Sequence, residues 1–171
     1  FVRKYVKEGK KLLVVDADGI KHSDASILKN SIITPHIKEL EIFMRNSKIN
    51  KEIINKIINE KDVRKRALLI KNAFEGFNVK NSNTEKINNN KIKNNEKKGN
   101  NNFFEKNNVI LLKGPVDTII SKEKILFVKG GNPGMAKAGT GDVLAGLCAG
   151  FLAQSKDLLQ SAINASYINK Q

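Results

Sequence analysis

Two short apolar runs, Leu12-Leu-Val-Val15 and Val109-Ile-Leu-Leu112, each stop on a charged residue, Asp16 and Lys113. No other feature constrains the fold as much. A four-residue run without a polar position has no side to show to water, so it suits a strand covered on both faces. The charge that ends it then lies at the carboxyl edge of a sheet, where α/β proteins gather their binding groups. Asp16 and Asp18 are therefore either strand-end caps or site residues, and their place at that edge favours a site role.

Helical patterns alternate with these strands. Ile27 to Ile33 reads as a second strand, closed by Thr34-Pro35. Pro35 suits a first helical turn, with Thr34 as N-cap and Lys38 to Phe43 continuing the helix. Ile49, Ile53, Ile54, Ile57 and Ile58 recur at helical spacing and predict an amphipathic helix. Asp62 opens another, with Val63, Ala67, Ile70 and Phe74 on one face and Gly76 suited to its end. After the turn at Gly114-Pro115, Thr118–Ile120 and Ile125–Val128 pair as a hairpin around Ser121–Lys124. A Gly-rich loop from Gly130 to Gly141 precedes an apolar helix from Asp142 to about Gln154, and a last helix covers roughly Asp157 to Asn169. The class is α/β.

Between the two halves lies a biased tract. Asn78–Asn108 holds thirteen Asn and seven Lys against three Glu. Such a segment cannot bury enough apolar surface to offset its ordering entropy. A loop of that length adds only about 1 kcal/mol of closure entropy over a short one. The expectation is one domain over residues 1–171 carrying a disordered insert at 78–108. The formal charge of +14 invites a nucleic-acid partner. The basic residues are spread along the chain without interleaved aromatics for base stacking, so a solvated surface is expected and no nucleic acid. No apolar run reaches the length of a membrane span, and the basic Phe1-Val-Arg-Lys4 start, with no apolar segment and cleavage site after it, is not expected to be a secretory leader. The single cysteine, Cys148, excludes an internal disulfide framework and reads as a packed core residue. His22 and Met135 read as surface and loop packing. Asn164-Ala165-Ser166 matches a glycosylation triplet but falls in a predicted helix.

The stretch Gly130-Gly-Asn-Pro-Gly-Met-Ala-Lys-Ala-Gly-Thr-Gly-Asp142 carries the most chemistry. Gly139-Thr140-Gly141 stands directly before a helix, whose N–H groups and dipole make an anion site. Asp142 at its mouth would repel a phosphate. It suits a base acting on a hydroxyl that attacks the phosphate, or else merely a stabilising acid in a first turn.

Asn132-Pro-Gly-Met-Ala-Lys-Ala-Gly-Thr-Gly-Asp-Val-Leu-Ala-Gly146 resembles the signature of the NAD(P)H-hydrate dehydratases, within the ribokinase-like superfamily. Three further stretches resemble that family in order: Val14-Val-Asp-Ala-Asp-Gly19, Ile33-Thr-Pro-His-Ile-Lys-Glu39 and Leu111-Leu-Lys-Gly-Pro-Val-Asp117-Thr-Ile-Ile120. The resemblance implies a ribokinase-like fold, mainly parallel with helices on both faces. It implies repair of hydrated NADH or NADPH, with ATP (ADP in most bacterial members) phosphorylating the ring hydroxyl before phosphate leaves. The Asn-rich tract inclines the reading to ATP. It also implies Mg²⁺, with ligands unassigned, and a functional link to an NAD(P)H-hydrate epimerase. Cytoplasm or mitochondrion is the compartment it suggests.

Carried onto this sequence, the resemblance makes Asp142 the base, with Gly139, Thr140 and Gly141 stabilising the transferring phosphoryl group. Nucleotide contacts fall on Lys113, Gly114, Pro115, Val116 and Asp117, on Asn132, Pro133, Gly134, Met135 and Ala136, and on Lys137, Ala138 and Gly139 to Gly141. The hydrate side falls on His36, Ile37, Lys38 and Glu39, then Leu40, Glu41 and Ile42, with Asp142. Lys137-Ala138 departs from the family, which has a small residue and Gly there. The family's N-terminal part has no counterpart, so a fragment with an uncovered sheet edge is expected. Two other readings stand beside this one: a kinase for a vitamin-precursor alcohol, and a truncated domain that binds without turnover.

Overall fold

The computed structural model describes residues 11–75, 102–131 and 139–171. Five strands form one sheet in the order β1 (Leu13–Val15), β2 (Ser31–Ile33), β3 (Val109–Leu112), β4 (Val116–Ile120), β5 (Ile125–Lys129). β1, β2 and β3 pair in parallel, and β4 pairs antiparallel to both β3 and β5. Four strands thus run one way and β4 alone runs back. The sheet is mixed but mainly parallel in direction, as expected.

Alternation along the strands supplies two cores. Ile33, Ile110, Leu112 and Ile120 point to one face, and Ile32, Val109, Leu111 and Ile119 to the other. On the first face lie α1 (Ala17–Lys21), α2 (Ile37–Asn46), α3 (Lys51–Asn59) and α4 (Val63–Glu75), burying Ile20, Leu40, Phe43, Ile57, Ile70 and Phe74. On the second lie α5 (Thr140–Ser155) and α6 (Leu158–Asn169), burying Leu144, Cys148, Leu152, Ala162 and Ala165. Helices cover both faces, so no face of the central strands meets water. That is why their sequences read as unbroken apolar runs.

Three boundaries differ from the sequence expectation. The second strand starts at Ser31, not Ile27, because Asn30 takes a left-handed φ of 51° that breaks extension. Leu28 nevertheless drops into the core. Thr34 does not cap the following helix. His36 does, its ring accepting from Lys38 N and Glu39 N while the Glu39 carboxylate accepts from His36 N. α1, directly after β1, was not signalled by its short Ala-Asp-Gly-Ile-Lys sequence. Gly76, expected to end α4, lies outside the described residues, as do 78–101 of the Asn-rich tract.

Residues 102–108 of that tract are part of the fold. Phe103 and Phe104 are buried and their rings pack edge-on or tilted against each other and Phe74. Asn108 accepts from Ser31 N at 3.0 Å and donates to Leu28 O at 3.1 Å and Phe103 O at 2.8 Å. Two adjacent phenylalanines outweigh the surrounding asparagines, because each buries a large apolar area.

Candidate functional site

The parallel register sets β1, β2 and β3 to end together. Val15 pairs with Ile33, and Ile33 with Ile110. Backbone bonds from Thr34 N to Val15 O (3.1 Å) and from Lys113 N to Pro35 O (2.8 Å) continue the ladder past the strand ends. Asp16, Thr34 and Lys113 thereby meet at one edge. Lys113 Nζ lies 2.8 Å from Asp16 Oδ1 and 3.7 Å from Glu39 Oε2. The Thr34 hydroxyl donates to the same Asp16 oxygen at 2.8 Å. Little of this reaches solvent: the side chains of Lys113, Asp16 and Glu39 are 19%, 15% and 7% exposed. An ammonium held that deep needs its carboxylates, and each carboxylate needs the ammonium.

Glu39 reaches the cluster from the first turn of α2. Its Oε2 accepts from His36 N at 2.9 Å, and its Oε1 lies 3.5 Å from His36 Nε2. His36 Nδ1 faces two N–H donors, at 3.1 Å from Lys38 and 3.3 Å from Glu39. A nitrogen that accepts carries no proton, which puts the ring proton on Nε2, toward Glu39.

The start of α5 arrives from the other face. Gly139 caps it at φ +96°, a conformation that favours glycine. A Cβ on Gly141 would sit 3.3 Å from Lys113 Nζ and 4.0 Å from Asp16 Oδ2. The first turn of α5 therefore comes close to the ammonium, with Asp142 exposed beside it. A helix N-terminus attracts an anion such as phosphate, whereas the charge of Lys113 is already offset by Asp16 and Glu39.

A second polar cluster sits on the β3–β4 turn. Asp117 is 2% exposed. Gly114 N donates to its Oδ1 at 3.1 Å, the Ser166 hydroxyl donates to its Oδ2 at 2.9 Å, and Lys170 Nζ lies 3.3 Å from Oδ1. Both oxygens already have donors, so this carboxylate shapes the turn from within. Its expected contact with a nucleotide is not available to the side chain as it stands.

The expected hydrate-side stretch divides. His36 and Glu39 turn to the Lys113 cluster. Leu40 is fully buried in the core, Glu41 pairs with Arg45, Ile37 packs against the core, and Lys38 and Ile42 are exposed. An N-cap and the six helical residues after it point round the whole helix, so they cannot all line one pocket. Gly114 and Val116 are half-buried and Pro115 is exposed at the turn's tip. Asn132 to Ala138 lie outside the described residues.

Asp16 joins the cluster as its edge position suggested, whereas Asp18 faces water and pairs with Lys21. Thr34, Ser166 and Lys170 were missed as polar partners, since only tertiary packing brings them in. His22 is exposed. Cys148 is fully buried, and burial pushes its thiol from an ordinary value of 9.0 up to about 12. Ser166 of the glycosylation triplet is buried within α6.

The mainly parallel α/β sheet with helices on both faces is a ribokinase-like fold. A ribokinase-like superfamily protein from Enterococcus faecalis V583 matches 98% of the chain with a TM-score of 0.59 at 22% identity, the match covering 48% of that protein. The chain belongs to the NAD(P)H-hydrate dehydratase family, whose model matches residues 1–171. It is similar to the ADP-dependent (S)-NAD(P)H-hydrate dehydratase of Cenarchaeum symbiosum, 48% identical over 65 residues, which is 38% of this chain and 23% of that one. Its fold is similar to the ADP/ATP-dependent NAD(P)H-hydrate dehydratase of Bacillus subtilis, with a TM-score of 0.57, 23% identity, and coverage of 93% and 45%. The chain spans less than half the length of the solved relatives it matches. Among the described residues, no helix is long and apolar enough to cross a membrane.

Proposed function

We propose that the protein to which this chain belongs returns hydrated NADH or NADPH to the intact dinucleotide, using ATP or ADP as phosphoryl donor. The observation that carries this reading is the Lys113 ammonium held 3.3 Å from where a Gly141 Cβ would stand, beside Asp16 and the first turn of α5. It is supported by family membership and by the nucleotide dependence that two relatives' names state.

Asp142 takes the proton of the ring hydroxyl as its oxygen attacks the terminal phosphorus and the bond to the nucleotide leaving group breaks. The Gly139–Gly141 backbone holds charge on the transferring group, and Lys113 stands beside it on the nucleotide side. The carbon–oxygen bond then breaks, the phosphate leaves with the electron pair, and the ring nitrogen's lone pair assists. Loss of a proton from the neighbouring ring carbon restores the double bond. Hydrate plus ATP thus gives NAD(P)H, ADP and phosphate; with ADP the products are NAD(P)H, AMP and phosphate. His36 and Glu39 stand on the hydrate side, and the 113–117 turn on the nucleotide side.

Magnesium is the expected counter-ion of the nucleotide. Among the described residues no three His, Cys, Asp or Glu side chains gather as a metal site. No step here depends on such a cage. Mg²⁺ commonly keeps several waters and binds chiefly through substrate phosphates.

The test uses the complete polypeptide with NADH hydrate and either ATP or ADP. Return of NADH absorbance with one phosphate released per turnover is expected, and Asp142→Asn should lower the rate by about 10²- to 10⁴-fold. A stable phosphate ester in place of NADH would replace this reading with that of an alcohol kinase. Full activity of Asp142→Asn would remove Asp142 as the base.

A further inference from the structure

We infer that Ser166, on the last turn of α6, and Lys170, which caps that helix, are positioning residues for the nucleotide. The inference rests on the dehydratase reading of the site and deepens it. Lys170 Nζ donates to Gly114 O at 2.7 Å and lies 3.3 Å from Asp117 Oδ1, while Ser166 Oγ donates to Asp117 Oδ2 at 2.9 Å. Both ends of the Gly114–Asp117 turn are thus tied to one helix. The tie is buried: the Lys170 and Asp117 side chains are 14% and 3% exposed. A carboxylate buried to that degree holds its geometry only while its donors stay in place.

The same residue meets the second loop. Gly130 follows β5 with φ +139°, and a Cβ there would lie 2.9 Å from Lys170 O and 3.2 Å from Lys170 Cβ. Lys170 therefore reaches the 113–117 turn through its side chain and Gly130 through its backbone. It sets the spacing between the turn after β3, which is assigned to the nucleotide, and Gly130 at the end of β5. His36 and Glu39 come instead from α2, at the β2 side of Lys113. Disturbing Lys170 should loosen the nucleotide and leave the hydrate contacts as they were. The family resemblance assigned no role to either residue.

The test compares Lys170→Met, Lys170→Arg and Ser166→Ala in the complete polypeptide. Two readings are taken: equilibrium affinity for ATP and ADP, and hydrogen exchange of peptides covering 113–117 and 128–131. For Lys170→Met, nucleotide affinity should fall by about tenfold or more, since a charge-assisted bond to a buried partner is lost. Exchange should quicken in those two peptides and not in β1 or β2. In turnover, the KM for nucleotide should rise more than kcat falls, with the KM for hydrate constant. Lys170→Arg should recover most of the loss, and Ser166→Ala should show a smaller one. Faster exchange with unchanged nucleotide affinity would overturn the inference, leaving a purely structural tie. A wild-type protein that binds neither nucleotide would overturn the dehydratase reading and the inference with it. If Lys170→Met does not fold, Ser166→Ala decides by the same two readings.

Discussion

The two faces of the sheet are built from different side chains. Against α2 and α4, Phe43, Phe74, Phe103 and Phe104 form a continuous cluster with ring centroids 5.1–6.3 Å apart. Against α5 and α6 the buried groups are Leu144, Cys148, Leu152, Leu158, Ala162 and Ala165, with Ser161 and Ser166 also buried. Bulky rings contribute burial, and burial is non-directional. Alanines and hydroxyls let a helix lie close to the sheet and carry polar reach to its edge, as Ser166 does to Asp117. The aromatic face carries the bulkier core, and both faces send groups to the strand ends, Glu39 to Lys113 from one and Ser166 to Asp117 from the other. The outer side of α5 continues the pattern, with Val143, Gly146, Ala149, Gly150 and Ala153 exposed.

The comparison breaks first at Phe103, where the expected effect is largest. Phe103 is fully buried and touches the rings of Phe43, Phe74 and Phe104. Phe103→Ala should cost about 3–5 kcal/mol in a urea titration, from lost transfer energy plus the cavity left behind. Nucleotide affinity of the protein that remains folded should hold, since the ring is far along the sheet from Lys113. A cost near 1 kcal/mol would mean that residues 102–108 are only loosely attached and that the aromatic face is less dominant than its packing indicates.

On the other face the matching residue is Cys148, and its signature is a pH dependence. Burial, joined by the charges of Asp16 and Asp117, raises its thiol to about 12 from an ordinary 9.0. The folded state thus prefers the protonated thiol more than the unfolded chain does. This contribution is fully present below the unfolded value, and it declines as pH rises through 9.0 toward about 12. Stability measured in urea should fall between pH 8 and pH 10.5 more steeply for wild type than for Cys148→Ala, by up to about 1.4 kcal/mol per pH unit. The native thiol should also resist alkylation at pH 8 and react once unfolded. Identical pH slopes in the two proteins would show that the small-residue face admits water.

Most of the fold was legible because it rests on patterns of local origin. The apolar runs of β1 and β3, the Ile spacing of α3 and the Val63–Phe74 stripe of α4 each commit a segment by itself. What escaped depends on distant partners. Thr34 looked like a cap because Pro35 follows it, yet its hydroxyl goes to Asp16, eighteen residues earlier. The end of the Asn-rich tract looked unstructured by composition, although Phe103-Phe104 was the local sign that it would pack. The site was half legible. Asp16, Lys113, Glu39 and Gly141 converge as their motifs imply, while Asp117 is turned inward by Ser166 and Lys170, 49 and 53 residues further on. No periodicity reveals a polar bond across that separation.

The smallest expected effect lies at the seam where the two faces meet. Ala17, directly after Asp16, has φ 47°, in the left-handed region that an alanine enters at a cost of about 1–2 kcal/mol. Glycine has no such cost, but it loses about 0.5–1 kcal/mol more conformational entropy on folding. Ala17→Gly should therefore raise stability by about 0.5–1 kcal/mol, read as a higher urea midpoint with an unchanged slope. The strained turn sets the direction in which Asp16 leaves β1, and Asp16 meets Lys113 at 2.8 Å. A small gain in stability paired with weaker nucleotide affinity would show that the strain holds that carboxylate in place. A gain with affinity unchanged would place the aim of Asp16 in Thr34 and Lys113 alone, and so in the ladder of strand ends that both faces share.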